Sequence, residues 1–89
     1  MAYRLLIADE RTWTKDLRKI SPQELKRIFD RIKKLATDPW PAEVQVKKLQ
    51  HYDLADFRSR VGNYRVLFDR DVEKKEVILY RILHRSKLD

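Results

Sequence analysis

The 89-residue chain contains no cysteine. That excludes a disulfide staple, a thiolate nucleophile and a cysteine-ligated zinc, and it fits a reducing compartment. Histidine occurs twice, too rarely for a metal cluster, so neither a metal nor another cofactor is expected. No stretch approaches the roughly 18 uninterrupted apolar residues of a membrane span, and the N-terminus lacks the apolar region of a signal peptide. The expectation is a soluble, cytoplasmic protein with no membrane partner. Glycine appears once, at Gly62, and proline three times, at Pro22, Pro39 and Pro41, so there is no linker or low-complexity tract. The chain is shorter than an average domain of about 100–200 residues, which predicts a single domain over residues 1–89. What it has in quantity is charge: Lys+Arg 21 against Asp+Glu 14, a net +7, beside 43% hydrophobic residues. A packed interior under a basic surface points to a polyanionic partner, nucleic acid first, with a merely soluble basic surface as the plainer reading.

The sparse punctuation makes each element readable. Tyr3-Arg4-Leu5-Leu6-Ile7 is short, apolar and β-prone, which predicts a strand at about residues 2–8 with Asp9 as a helix cap after it. Trp13, Leu17 and Ile20 fall at i, i+4 and i+7, the pattern of a surface helix. Ser21-Pro22-Gln23-Glu24 then restarts the chain with an N-cap serine, a proline at the first helical position and a glutamate at the third. Leu25, Ile28, Phe29, Ile32, Leu35 and Ala36 continue as an apolar stripe until Asp38-Pro39-Trp40-Pro41 ends the helix. Beyond residue 43 the period changes to two: Val44 and Val46 alternate up to Leu49, His51-Tyr52-Asp53 reads as a loop, and Asp56 to Phe68 reads as strand, turn, strand. A final apolar run from Glu76 to Leu83 reads as a buried strand. The predicted fold is α+β, a two-layer sandwich in the order β-α-α-β-β-β, with two N-terminal helices on one face of a mostly antiparallel sheet.

Gly62-Asn63 between alternating runs predicts a tight hairpin in which glycine supplies a positive φ at the first central position. Its register puts Phe57, Ser59, Val61, Tyr64, Val66 and Phe68 on the face toward the helices, and Arg58, Arg60, Arg65 and Leu67 on the other. Arg60 then lies opposite Arg65, although opposed like charges destabilise a sheet by a few tenths to about 1 kcal/mol. An anion between the guanidinium groups would relieve that repulsion, since their planar forks match phosphate oxygens; solvated or carboxylate-paired side chains are the plainer alternative. In the last strand Ile78, Tyr80 and Ile82 make the better core-facing set, which sends Arg81 to the basic face. His84, Arg85 and Lys87 follow at the edge of the sheet. His84 is the residue suited by type to proton transfer at neutral pH, unless it only closes the strand. His51 reads as a solvated loop residue, and Lys47 and Lys48 either steer RNA or are strand-edge lysines.

Lys48-Leu49, then Phe57-Arg58-Ser59-Arg60-Val61-Gly62-Asn63-Tyr64-Arg65-Val66-Leu67-Phe68, then Ile82-Leu83-His84-Arg85 resemble the RelE/ParE superfamily of type II toxin–antitoxin toxins over nearly the whole chain. The resemblance implies a RelE-type mRNA interferase: a ribosome-dependent endoribonuclease that cuts mRNA in the A site, inhibits translation and is neutralised by a RelB-like antitoxin. Arg58 and Arg60 match the paired basic positions of the RelE strand, Arg65 the arginine of the Y-R motif, and His84 and Arg85 the family's C-terminal motif. Asp89 stands where many members carry a tyrosine, and His51 where the usual residue is glycine. The implied chemistry is metal-free attack of an RNA 2′-hydroxyl on the adjacent phosphate. The expected catalytic set is Arg65, His84, Arg85, Arg60 and Arg58, with Lys47, Lys48, Arg81 and Lys87 binding RNA. Two other readings stay open: a ParE-like toxin that poisons DNA gyrase without cutting RNA, and a basic RNA-binding module without chemistry.

Overall fold

The computed structural model describes residues 2–50 and 52–88; His51 and Asp89, both singled out above, lie outside them. The chain runs β1 (Arg4–Ile7), α1 (Glu10–Arg18), α2 (Pro22–Leu35), a 3-10 turn (Ala42–Val44), β2 (Val46–Lys48), β3 (Phe57–Val61), β4 (Tyr64–Asp71), β5 (Glu76–His84) and α3 (Arg85–Leu88). The strands form one five-stranded sheet in the order β1-β5-β4-β3-β2. Only β1 is parallel to its neighbour, pairing with β5 from Arg4 opposite Glu76 to Ile7 opposite Leu79. The α+β reading holds: β2 occupies the alternating stretch before Leu49 and makes four strands after the helices where the order β-α-α-β-β-β has three, and the single-turn helix α3 is an addition. Val44, expected in a strand, instead closes the 3-10 turn and is buried. No helix of the described residues is long and apolar enough to cross a membrane.

The helix starts follow their caps. Asp9 Oδ1 accepts from the backbone N–H groups of Arg11 at 3.0 Å and Thr12 at 3.3 Å, and Ser21 Oγ from that of Glu24 at 3.3 Å. These satisfy donors that the first turn of a helix leaves without intrahelical partners. The α2 stripe buries Ile28, Ile32 and Leu35, while Phe29, counted in the same stripe, sits at its border and is exposed. Across from the helices, Val66, Phe68 and Val77 are wholly buried. Trp40 closes one end of this core, edge-on to Phe57 and Phe68 with ring centroids 5.8 Å from each. Arg70 lies between the rings of Tyr3 and Trp40, 4.5 and 4.3 Å from their centroids, and pairs with Asp38 at 2.8 Å. The aromatic faces and the carboxylate together compensate a guanidinium withdrawn from water.

The hairpin has the expected register, from Phe57 opposite Phe68 to Val61 opposite Tyr64, and Gly62 has φ +58°. In β5 the expectation fails at one point. A bulge makes Leu67 pair with Arg81 but Phe68 with Leu79, so Tyr80 is an extra residue and the alternation changes phase there. Val77 and Leu79 therefore join Ile82 in the core, while Ile78 and Tyr80 are only half-buried. Tyr80 instead donates its hydroxyl to Asp69 Oδ2 at 2.9 Å.

Candidate nucleic-acid interface

Alternation along β3 and β4 puts Arg58, Arg60 and Arg65 on the sheet face away from α2, and Lys47 joins them by pairing with Arg58. Arg60 is exposed and directly opposite Arg65. Arg65 is held at the turn: its Nη1 donates to the carbonyls of Gly62 at 3.1 Å and Tyr64 at 2.9 Å. Part of the repulsion between the two arginines is thus relieved by backbone oxygens, before any ligand arrives. Arg58 is half-buried in a groove of about 400 Å³ lined also by Lys47, Lys48 and Leu88. Leu88 belongs to α3, so the last helix turns back over the arginine face. Lys47, Lys48, Arg58, Arg60, Arg85 and Lys87 take part in no ion pair among the described residues.

The C-terminal residues divide between the two faces. The Arg85 N–H donates to the Asn63 carbonyl at 2.7 Å, which continues the ladder and docks the start of α3 on the hairpin. His84, however, pairs with Tyr64, and their rings meet edge to face with centroids 5.5 Å apart. Paired residues share a face, so His84 stands on the helix side of the sheet's end and not among the arginines. Its Nδ1 lies 2.9 Å from Ser86 Oγ and accepts from the Ser86 backbone N–H at 3.2 Å. Tyr64 remains a neutral phenol: burial, and then the adjacent Glu24 carboxylate that its hydroxyl bonds, raise its pKa.

Arg81 departs furthest from expectation. Its Nε and Nη2 each donate to Asp16 at 2.8 Å, a bidentate pair that ties it to α1 instead of leaving it on an open basic face. Asp16 is 3% exposed and also accepts from the Ile82 backbone N–H at 3.1 Å. The hydrogen bonds to Asp16 raise the Arg81 pKa above the ordinary arginine value. Arg31 of α2 does the corresponding work at the opposite side of the sheet. Its Nη1 donates to the carbonyl of Val44 at 3.1 Å and to that of Arg60, beyond the point where β2 stops pairing with β3. Burial lowers the Arg31 pKa, and Arg27 adds to this against the opposite effect of Glu43. Neither Asp16 nor Arg31 was singled out from sequence. A lone acidic residue between Trp13 and Leu17, next to the buried stripe, was the available signal for Asp16; the α2 stripe gave none for Arg31.

Residues 10–88 match the family model described as the ParE toxin of the type II toxin–antitoxin system, parDE. Among solved structures, an archaeal RelE–RelB complex from Pyrococcus horikoshii contains a similar chain, with 26% identity, coverage of 98% of this chain and 99% of that one, and a TM-score of 0.76. The toxin–antitoxin complex RelBE2 from Mycobacterium tuberculosis gives 28% identity, coverage of 96% and 100%, and a TM-score of 0.75. A RelB–RelE antitoxin–toxin complex from Methanococcus jannaschii gives 28%, 93% and 93%, and 0.70. No curated protein matches the chain in sequence.

Proposed function

Because the chain belongs to the ParE toxin family and is a RelE/ParE superfamily toxin of a type II toxin–antitoxin system, we propose that it acts as a metal-independent endoribonuclease on mRNA at the ribosome. The observation that carries this reading is the Arg60–Arg65 pair, opposed in register with Arg58 one alternation away on the same face. Such an arrangement costs stability by itself and is suited to a phosphodiester whose negative charge grows as the reaction proceeds. The RNA 2′-oxygen attacks the adjacent phosphorus, the bond from phosphorus to the 5′-oxygen breaks, and a cyclic phosphate and a 5′-hydroxyl result. Arg60 and Arg65 hold the phosphate, while Arg58 and Arg85 extend the cationic surface along the strand. The proton of the 2′-hydroxyl passes to water, because arginine stays protonated and makes a poor base. His84, expected as the proton carrier, stands off this face with its Nδ1 accepting from the Ser86 N–H, so the departing 5′-oxygen takes its proton from water. Orientation of the RNA by the ribosome supplies much of the rate for so lean an acid–base set.

A cognate antitoxin follows from the resemblance to toxins solved with RelB-type partners, and an acidic segment that folds on binding suits the basic face. The ParE description of the matching family favours a second reading, inhibition of DNA gyrase. Ribosome-programmed mRNA cleavage run beside a gyrase supercoiling assay separates the two. Under the nuclease reading, Arg65→Ala and Arg60→Ala each lower cleavage by about 100-fold or more, the scale of losing one preorganised charge-stabilising group, and supercoiling is unaffected. Retained cleavage in Arg65→Ala, or supercoiling blocked by the wild-type chain, defeats it.

A further inference from the structure

Strand β3 has β4 on one side and β2 on the other, and successive residues of such a strand direct their backbone N–H and C=O groups to the two sides in turn. The Leu49 N–H donates to the Asp56 carbonyl at 2.7 Å and Lys47 pairs with Arg58, so Asp56, Arg58 and Arg60 all turn their backbone groups toward the β2 side. There the ladder ends one residue too soon. By the register that sets Val46 opposite Ser59, Gln45 would stand opposite Arg60, but Gln45 closes the 3-10 turn in left-handed backbone, φ 49° and ψ 51°. Arg60 therefore has no strand on that side. Its carbonyl accepts instead from Arg31 Nη1, which also donates to the Val44 carbonyl at 3.1 Å. Ser59 Oγ donates to the same Val44 carbonyl. One half-buried guanidinium on α2 thus ties the end of β3 to the turn from which the missing strand would have continued.

The tie falls on the member of the opposed arginine pair that has least else to hold it. The Arg65 side chain is anchored by the Gly62 and Tyr64 carbonyls, and the Arg58 backbone by β2. Arg60 is exposed, in no ion pair among the described residues, and directly across from Arg65. Because its backbone groups turn toward β2, the Arg60–Arg65 pair is a non-hydrogen-bonded one, in which Cα atoms stand only about 4.5 Å apart and side chains crowd. Repulsion there is relieved most easily by letting the Arg60 end of β3 move off. We propose that Arg31 is a positioning residue for the phosphate site: by holding the Arg60 carbonyl it keeps Arg60 opposite Arg65 before the phosphate arrives, without touching the phosphate itself. The inference rests on the reading of the arginine face as an RNA phosphate site and adds what preorganises it.

The test measures binding of a uniformly 2′-O-methylated RNA hexanucleotide, which cannot be cleaved, to the full chain by calorimetry over a range of salt. Arg31→Met is expected to weaken binding about tenfold, the scale of losing a hydrogen bond from a charged group. The salt slope stays as it was, whereas a residue that touched the RNA would take about 0.7 from it. The loss shrinks to within about twofold in the Arg60→Gln background and persists in the Arg58→Gln background, since Arg58 is held by β2 and not by Arg31. A general loosening of the fold, or the Arg31 charge acting through space, would persist in both. Arg31→Lys keeps the charge on a flexible stem with one nitrogen and should weaken binding about threefold, again only where Arg60 is present. No loss in Arg31→Met, a slope lower by about 0.7, or a loss that survives Arg60→Gln in full overturns the proposal. Should Arg31→Met fail to fold in thermal unfolding, Arg31→Lys decides, and wild-type affinity there overturns it. Absence of binding by the wild-type chain removes the phosphate site and the proposal with it. Coupling of Arg31 to Arg60 without mRNA cleavage at the ribosome defeats the nuclease reading and keeps the positioning role; cleavage without the coupling does the reverse.

Discussion

Beyond Leu79, β5 has no strand paired to its outer side, and the Ile82 N–H is bonded instead by the Asp16 carboxylate, which also holds Arg81. A carboxylate in that position replaces a missing strand at one point. Its removal leaves a buried N–H and a half-buried guanidinium without their partner. Asp16→Ala is expected to cost about 2–4 kcal/mol in chemical denaturation, below the full value for a buried pair because Arg81 is partly solvated. Asp16→Asn should cost less, since an amide oxygen can still accept from Ile82. Tyr80 gives a prediction in pH. Burial first, then its hydrogen bond to Asp69, raises its pKa above the ordinary value of 10.0. A folded-state pKa above the unfolded one contributes stability that is complete below about pH 10 and is lost as pH rises through the folded value. Tyr80→Phe should therefore lose about 1 kcal/mol at pH 7 and show a shallower alkaline decline, with Tyr64, shifted in the same direction, supplying what remains.

At the scale of elements, the β3–β4 hairpin depends on one backbone position. Gly62 has φ +58°, and a Cβ built there would meet the Arg27 Nη1 at 3.6 Å, an ordinary contact. The cost of Gly62→Ala is thus conformational, about 1–2 kcal/mol, with the register kept; urea denaturation and arginine-face cleavage measured together would check both halves. The hairpin and α2 were legible because each rests on local chemistry: Gly62-Asn63 dictates the turn, and Ser21-Pro22 with the spaced Ile28, Ile32 and Leu35 dictates the helix. The phase of β5 was not. Val77, Ile78, Leu79 and Tyr80 are all apolar enough for either face, and the extra residue at Tyr80 is decided by pairing with Leu67 and Phe68 on β4, which no local pattern encodes. The same distinction divides the candidate site. Arg58, Arg60 and Arg65 follow from the hairpin register, whereas the turn of His84 toward Tyr64 and the ties of Arg81 to Asp16 and Arg31 to Arg60 join residues from distant parts of the chain.

For the whole molecule, the net charge of +7 says less than its arrangement. Residues 1–44 carry nearly the same excess as the rest, so composition alone locates nothing. On the sheet, however, the hairpin end bears Arg58, Arg60, Arg65 and Arg85, while the other end of β4 and β5 balances Asp69, Asp71, Glu73 and Glu76 against Arg70, Lys74, Lys75 and, by its ion pair with Glu76, Arg4. The Debye length at physiological salt is about 8 Å, shorter than an eight-residue strand of about 26 Å such as β4. An incoming RNA at the hairpin end therefore responds to the charges there and hardly to those at the far end. Stopped-flow association with a short RNA makes the separation measurable. Glu73→Lys raises the net charge by two at the far end and should change the association rate by less than about twofold. Arg60→Gln removes a single charge at the hairpin end and should slow association severalfold at low salt, with the difference from wild type shrinking as salt is added. A larger acceleration from Glu73→Lys than the slowing from Arg60→Gln would mean that bulk charge, and not the arginine face, draws the RNA in.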